Sequence, residues 1–159
     1  MSELKKIISG GQTGVDQAAL QAAIDSGLDH GGWCPPGRIC ETGKIPSHFK
    51  LKETLEERDQ LAIDIPRSQR TIWNARDSDG SLIIVSELNI DSGTALTIDY
   101  CEQRNKPFLI VYLGKTSIID INNWLEQHEI EILNVAGTSE KSSPGISSLT
   151  YQIISDIIS

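Results

Sequence analysis

Apolar residues along this chain alternate between short continuous runs and stretches with helical spacing. Lys5-Lys6-Ile7-Ile8-Ser9 reads as a short strand bounded by Gly10-Gly11. Over residues 16–26 apolar positions recur at helical spacing, and Gly27 suits the left-handed residue that closes a helix. A short segment at Gly31-Gly32-Trp33-Cys34 follows, then Pro35-Pro36-Gly37, and the chain reads as an irregular loop to Ile45-Pro46. Residues 51–61 are charged with a helical pattern, and residues 67–77 form another helix that stops before Gly80. Ser81-Leu82-Ile83-Ile84-Val85 and Phe108-Leu109-Ile110-Val111-Tyr112 are nearly unbroken apolar runs of strand length, as parallel strands covered on both faces require. Helices are predicted over residues 94–104, 118–128 and 146–158, with a last strand at Glu131-Ile132-Leu133-Asn134-Val135.

Strands alternating with helices at these spacings predict a Rossmann-like α/β fold, a doubly wound sheet of about five mainly parallel strands in three layers. A length of 159 residues suits a single domain over the whole chain. In such sheets ligands bind beyond the carboxyl ends of the strands, near the point where strand order reverses.

Composition narrows the chemistry. At 38% hydrophobic and 23% charged residues, without repeats, the chain has the make-up of an ordinary folded protein. A formal net charge of −8 argues against broad binding to a nucleic-acid backbone. An anionic ligand must then be held locally, which backbone N–H groups at a helix N-terminus can do. Cys34, Cys40 and Cys101 are expected as reduced thiols packed as small hydrophobes. Trp33, Trp73 and Trp124 suit either a core or an interface. The first residues run straight into a strand, with no signal-type segment and nothing near the ~20 apolar residues of a membrane span, so a cytoplasmic location is expected.

Three loops lie where a strand hands over to a helix. In Ser9-Gly10-Gly11-Gln12-Thr13-Gly14-Val15-Asp16 the glycines allow close backbone approach, while Gln12 and Thr13 can donate to a phosphate. The loop lacks a Walker-type lysine and the GxGxxG pattern, and it also fits a tight turn with Thr13 or Asp16 capping the helix. Asn89-Ile90-Asp91-Ser92-Gly93-Thr94 repeats that position, with Asp91 or Ser92 as the alternative cap. Ala136-Gly137-Thr138-Ser139-Glu140 opens the third loop, and all three can converge at one edge of the sheet. The candidate binding residues are Gly10, Gly11, Gln12, Thr13, Gly14, Asp16, Ser92, Gly93, Thr94, Gly137 and Ser139. Asp77-Ser78-Asp79-Gly80 has the composition of a turn, and His30, His48 and His128 form no spaced ligand set, so no protein-ligated metal is expected.

The motifs Ile8-Ser9-Gly10-Gly11-Gln12-Thr13-Gly14-Val15-Asp16, Gly32-Trp33-Cys34-Pro35, Gly37-Arg38, Arg70 with Asn74, Asp77-Ser78-Asp79-Gly80 and Leu133-Asn134-Val135-Ala136-Gly137, in this order over nearly the whole chain, resemble the putative molybdenum carrier family. That family is similar to a larger Rossmann-like superfamily that includes cytokinin-activating phosphoribohydrolases and a bacterial DNA-processing protein. The resemblance implies a carrier or binding protein for molybdenum cofactor (molybdopterin, a pterin phosphate), assembled as a homo-oligomer, dimer or tetramer. The phosphoribohydrolases carry an acidic residue soon after the Gly-Thr step. Here Ala95-Leu96-Thr97 follows Gly93-Thr94, and the first acid is Asp99.

Three functions compete on these residues. The first is a non-catalytic carrier or sensor that binds the cofactor or a nucleotide. The second is an enzyme cleaving a nucleotide N-glycosidic bond, with Asp16, Asp91 or Asp99 as general acid or base. The third, single-strand DNA binding, lacks the stripe of aromatic and basic residues that stacking needs.

Overall fold

In a computed structural model that describes residues 3–86 and 90–159, the elements follow one another as β1 (Lys6–Ile8), α1 (Val15–Asp25), β2 (Asp29–Gly31), β3 (Trp33–Cys34), β4 (Ile39–Cys40), β5 (Gly43–Lys44), β6 (Lys52–Glu53), a 3-10 turn (Gln60–Ala62), α2 (Ser68–Arg76), β7 (Gly80–Val85), α3 (Ser92–Gln103), β8 (Phe108–Tyr112), α4 (Ile118–Gln127), β9 (Ile132–Gly137) and α5 (Ile146–Ile158). Five strands make the central sheet in the order β2-β1-β9-β7-β8, every neighbour parallel. This is the Rossmann-like α/β architecture that the apolar runs predict.

Alternation along the strands divides the core. Ile7, Leu82, Ile84, Leu133 and Val135 face the layer of α1, α4 and α5, where they pack with Val15, Ala19, Ile121, Leu125 and Ile154. On the other face α2 packs on α3 through Ile72, Ala75, Tyr100 and Cys101. A smaller cluster of Leu20, Cys34, Cys40, Ile45 and Phe49 lies under the long connection from β3 to β6. All three cysteines are free and buried, and burial pushes the Cys34 and Cys101 thiols up. Trp124 belongs to the main core, whereas Trp33 and Trp73 are half-buried and meet edge to face at 4.8 Å.

Read cyclically from β7, the order β8-β7-β9-β1-β2 is second, first, third, fourth, fifth, the doubly wound order of flavodoxin-type sheets. The chain leaves β7 towards β8 through α3, while α5 leaves β9 the other way, to pack on α1. The crevice therefore opens at the carboxyl ends of β7 and β9. The turn at Asp77-Ser78-Asp79-Gly80 joins α2 to β7, and Asp79 accepts the Glu131 and Ile132 N–H groups at 3.0 and 2.8 Å. Among the described residues no helix is long and apolar enough to cross a membrane.

Three stretches differ from the expectation. Residues 51–61 are not a helix. Leu55 and Leu61 are 83% and 64% exposed, so that periodicity has no apolar face to bury. The segment is instead tied to its neighbour strand, with Lys52 N–H donating to Gly32 at 2.9 Å and Thr54 N–H to Cys34 at 3.0 Å. The loop before Pro46 contains the small antiparallel pair β4–β5. It is organised by Arg38, whose guanidinium donates to the carbonyls of Leu51, Pro46 and Phe49. The fifth strand of the sheet, Asp29-His30-Gly31, is a polar edge strand without an apolar run.

Candidate functional site

The first glycine loop is shaped by contacts on both of its sides. Gly14 is the N-cap of α1 with φ 85°, and no side chain caps that helix. A Cβ there would come within 2.6 Å of backbone atoms of Thr138, Ser139 and Glu140, so the loops after β1 and β9 touch at this glycine. Gly11, at φ +82°, faces Ile45 and Leu51. Asp16, in the first turn of α1, turns back to accept the Gln12 N–H at 3.2 Å.

Arg70 reaches Asp16 from α2, Nη1 to Oδ2 at 3.4 Å, with side chains 14% and 5% exposed. Burial pushes the Asp16 carboxyl up, against the pull of Arg70 and of the Gln12 N–H; Asp91 adds a smaller upward push. The same burial lowers Arg70, partly offset by Asp16. Guanidinium remains cationic under such a shift.

These residues wall a cavity of about 260 Å³ at the carboxyl ends of β1, β7 and β9, closed on one side by α2 and α3. Gly10, Gln12, Asp16, Ser92, Gly93, Thr94, Gly137 and Ser139 line it, so the three loops do converge. Gly11, Thr13 and Gly14 stand outside the lining; Thr13 donates to Glu41 at 3.4 Å. Asn89 lies outside the described residues. Asp91 caps α3 by accepting the Thr94 N–H at 2.7 Å. Glu140 does the equivalent for α5, accepting from Gly145 and Ser147, and these bonds hold its carboxyl low.

The N-termini of α3 and α5 are taken by the chain's own carboxylates, and the cationic side chains in the cavity lining come from α2 and its start. Arg67 and Arg70 both line it, and in each the Nε is buried without a hydrogen-bond partner among the described residues. Arg67 begins α2 in a left-handed conformation, φ 58°, its N–H bonded to Glu57. Two guanidinium groups in the lining of one polar cavity favour an anion there, because charge-assisted hydrogen bonds to guanidinium are among the strong ones. Asn134, Thr71 and Thr97 complete a polar floor, where Asn134 donates to Ser81 at 3.0 Å.

The arginines, Asn134 and Thr97 escape a reading built on loops. One signal was available: Arg67, Arg70, Thr71 and Asn74 recur at helical spacing, a polar stripe on one face of α2. Other motif residues have structural roles. Asn74 accepts the Trp33 N–H at 2.8 Å and donates to the Trp33 carbonyl at 2.9 Å, pinning β3 to α2. Asp99 lies exposed on α3, outside the cavity lining.

Residues 7–158 match the circularly permutated YpsA SLOG family. The crystal structure of a protein from Syntrophus aciditrophicus SB, named a putative molybdenum carrier protein, is 37% identical in sequence, covers 99% of this chain and 97% of its own, and superposes with a TM-score of 0.87. No curated protein matches the chain. The family's description agrees with the sheet, whose order becomes the common doubly wound one when read cyclically from β7.

Proposed function

The chain belongs to the circularly permutated YpsA SLOG family, and from that premise we propose that it is a carrier that holds a phosphate-bearing pterin or nucleotide in the cavity between the first glycine loop, α2 and α3. The observation that carries this reading is that two arginines from the start of α2, Arg67 and Arg70, line one polar cavity at the first glycine loop. In a chain of net charge −8 such donors need a specific anion, and a phosphate has the oxygen geometry that guanidinium groups match.

Three carboxylates among the described residues share the lining, each hydrogen-bonded within the protein, so the anion belongs on the α2 side, at Arg67 and Arg70. Asp91 caps α3, Asp16 accepts from Gln12 and Arg70, and Glu41 accepts from Thr13. Ser92 and Ser139 add hydroxyls, and Gly10 leaves room for the Arg70 guanidinium. The neighbour's name points to a molybdenum-related ligand, and molybdenum cofactor is the form whose phosphate suits these donors. When bound, the cofactor supplies its own metal centre; Arg67, Arg70 and the serines hold and orient the anionic end.

Cleavage of a nucleoside monophosphate is the second reading, favoured by the raised Asp16 carboxyl in the lining. Asp16 is nonetheless tied to Arg70, so the carrier reading expects no turnover of adenosine monophosphate. A cytoplasmic homo-oligomer is the expected form.

Native mass spectrometry of freshly purified protein, with a denatured control and metal analysis, tests the proposal. A co-purifying pterin or molybdenum species is the expected result; a nucleotide alone would redirect it towards sensing. An empty protein that gains no thermal stability from pterin phosphates or nucleotides overturns it.

A further inference from the structure

A second cavity of about 220 Å³ lies over the β1–β2 edge of the sheet and shares no lining residue with the first. Lys6, Lys50 and Lys52 all line it, beside His30, Trp33 and Asp77. Among the described residues none of these lysines forms an ion pair. Asp77, the one carboxylate among the described residues of the lining, is paired with Arg76 at 2.8 Å and accepts the Trp33 indole N–H at 2.8 Å. Three lysines without an ion-pair partner among the described residues therefore line one cavity in a chain whose net charge is −8, with the Lys50 ammonium donating to the Ser47 carbonyl at 3.4 Å.

The scaffold beneath them is fixed. Trp33 pairs with Lys52 in the β3–β6 ladder, which places the Lys52 Nζ 6.0 Å from the indole centroid. Asn74 holds the Trp33 backbone from both sides. His30 Nε2 accepts the Lys50 N–H at 3.1 Å, so the ring is neutral and anchors Lys50. Lys6 lies on β1 opposite Asp29 in register, its side chain against Gly31. Three lysines around one cavity attract phosphate, and the half-buried indole beside them offers a planar ring a face to stack on once the flexible Lys52 side chain swings off it.

We propose that this cavity is a second, independent anion site, which takes a small nucleotide, with its phosphates on Lys6, Lys50 and Lys52 and its base on Trp33. At about 220 Å³ the cavity is smaller than the roughly 300 Å³ at which enclosed ligand sites begin, so part of the nucleotide lies outside it, at the surface.

Calorimetric titration with adenosine diphosphate tests this on wild-type protein, on Lys50→Glu/Lys52→Glu, on Arg70→Met and on the two combined. Both lysines are exposed, so the double variant should fold like the wild type, and its melting temperature checks that. Binding is expected to persist in Arg70→Met, which lacks the first cavity's anchor, and the component that persists there is expected to weaken at least tenfold with Lys50→Glu/Lys52→Glu and at least tenfold when ribose 5-phosphate replaces the nucleotide. Nucleotide binding to Arg70→Met unchanged by the lysine substitutions, or no binding at millimolar concentration, overturns the second site. Loss in Arg70→Met alone would place the nucleotide in the first cavity and overturn it equally. Failure of the carrier reading would leave the lysine-dependent binding in place.

Discussion

The guanidinium of Arg70 lies across Gly10 so closely that a Cβ at position 10 would come 2.3 Å from its Nη1 and 2.9 Å from its Cδ. Gly10 thus serves a side chain from α2, placing the cation over the first loop where the carboxyl ends of the strands open.

From that contact, Gly10→Ala should displace the guanidinium while leaving the sheet intact. The expected outcome is at least a tenfold loss of affinity for a phosphate-bearing ligand with a melting temperature lowered by only a few degrees. Calorimetry and thermal unfolding together check this; unchanged affinity would show that Arg70 is not the anchor.

Other glycines have backbone rather than a flexible side chain against them. At Gly137 a Cβ would come 2.1 Å from the Ile84 carbonyl oxygen, and at Gly14 2.5 Å from the Glu140 nitrogen with φ already +85°. Gly14→Ala and Gly137→Ala are each expected to cost several kcal/mol or to prevent folding. Gly27, at φ +74° with open space around it, should lose only about 1 kcal/mol as alanine. Urea unfolding of the three variants gives the comparison.

The Asp16–Arg70 pair makes stability depend on pH. Because burial raises the folded Asp16 pKa, the native state binds more protons than the unfolded chain above about pH 3.9, and this contribution falls as pH rises through the folded value. Asp16→Asn removes that dependence and keeps an acceptor for the Gln12 N–H, so the wild type should lose stability relative to this variant across the same window. Arg70→Met leaves a buried carboxylate unpaired and should cost about 3 kcal/mol at neutral pH, less in acid. Adding Asp16→Asn should recover most of that loss. Denaturant titrations at several pH values decide it, and a pH-independent cost would exclude this coupling.

Arg38 binds backbone carbonyls, with Nη2 2.9 Å from both Pro46 and Phe49, and so shapes the connection whose Ile45 and Leu51 press on Gly11. Arg38→Ala is expected to destabilise by about 2 kcal/mol, with Arg38→Lys recovering only part because an ammonium cannot fork between several carbonyls. Chemical denaturation measures this, while affinity at saturating folding conditions should change little.

The parallel sheet was legible because Ser81-Leu82-Ile83-Ile84-Val85 and Phe108-Leu109-Ile110-Val111-Tyr112 are apolar on both faces, which only a covered strand tolerates. β2 was not, since Asp29-His30-Gly31 is held by one neighbour at the edge and carries no apolar run. Residues 51–61 misled because helical spacing without a surface to pack against does not make a helix.

By itself the sequence determined the fold class and the position of the three loops, for strand periodicity and glycine placement are local properties of the chain. Tertiary structure alone decided which charges enter the crevice. Arg70 stands 54 residues along the chain from Asp16, and whether its guanidinium is solvated or buried depends on how α2 lies against the sheet. The same holds for Lys6, Lys50 and Lys52, which become one charged surface only when β6 pairs with β3 beside β2. Charge acts through distance and desolvation, and neither is a property of sequence order.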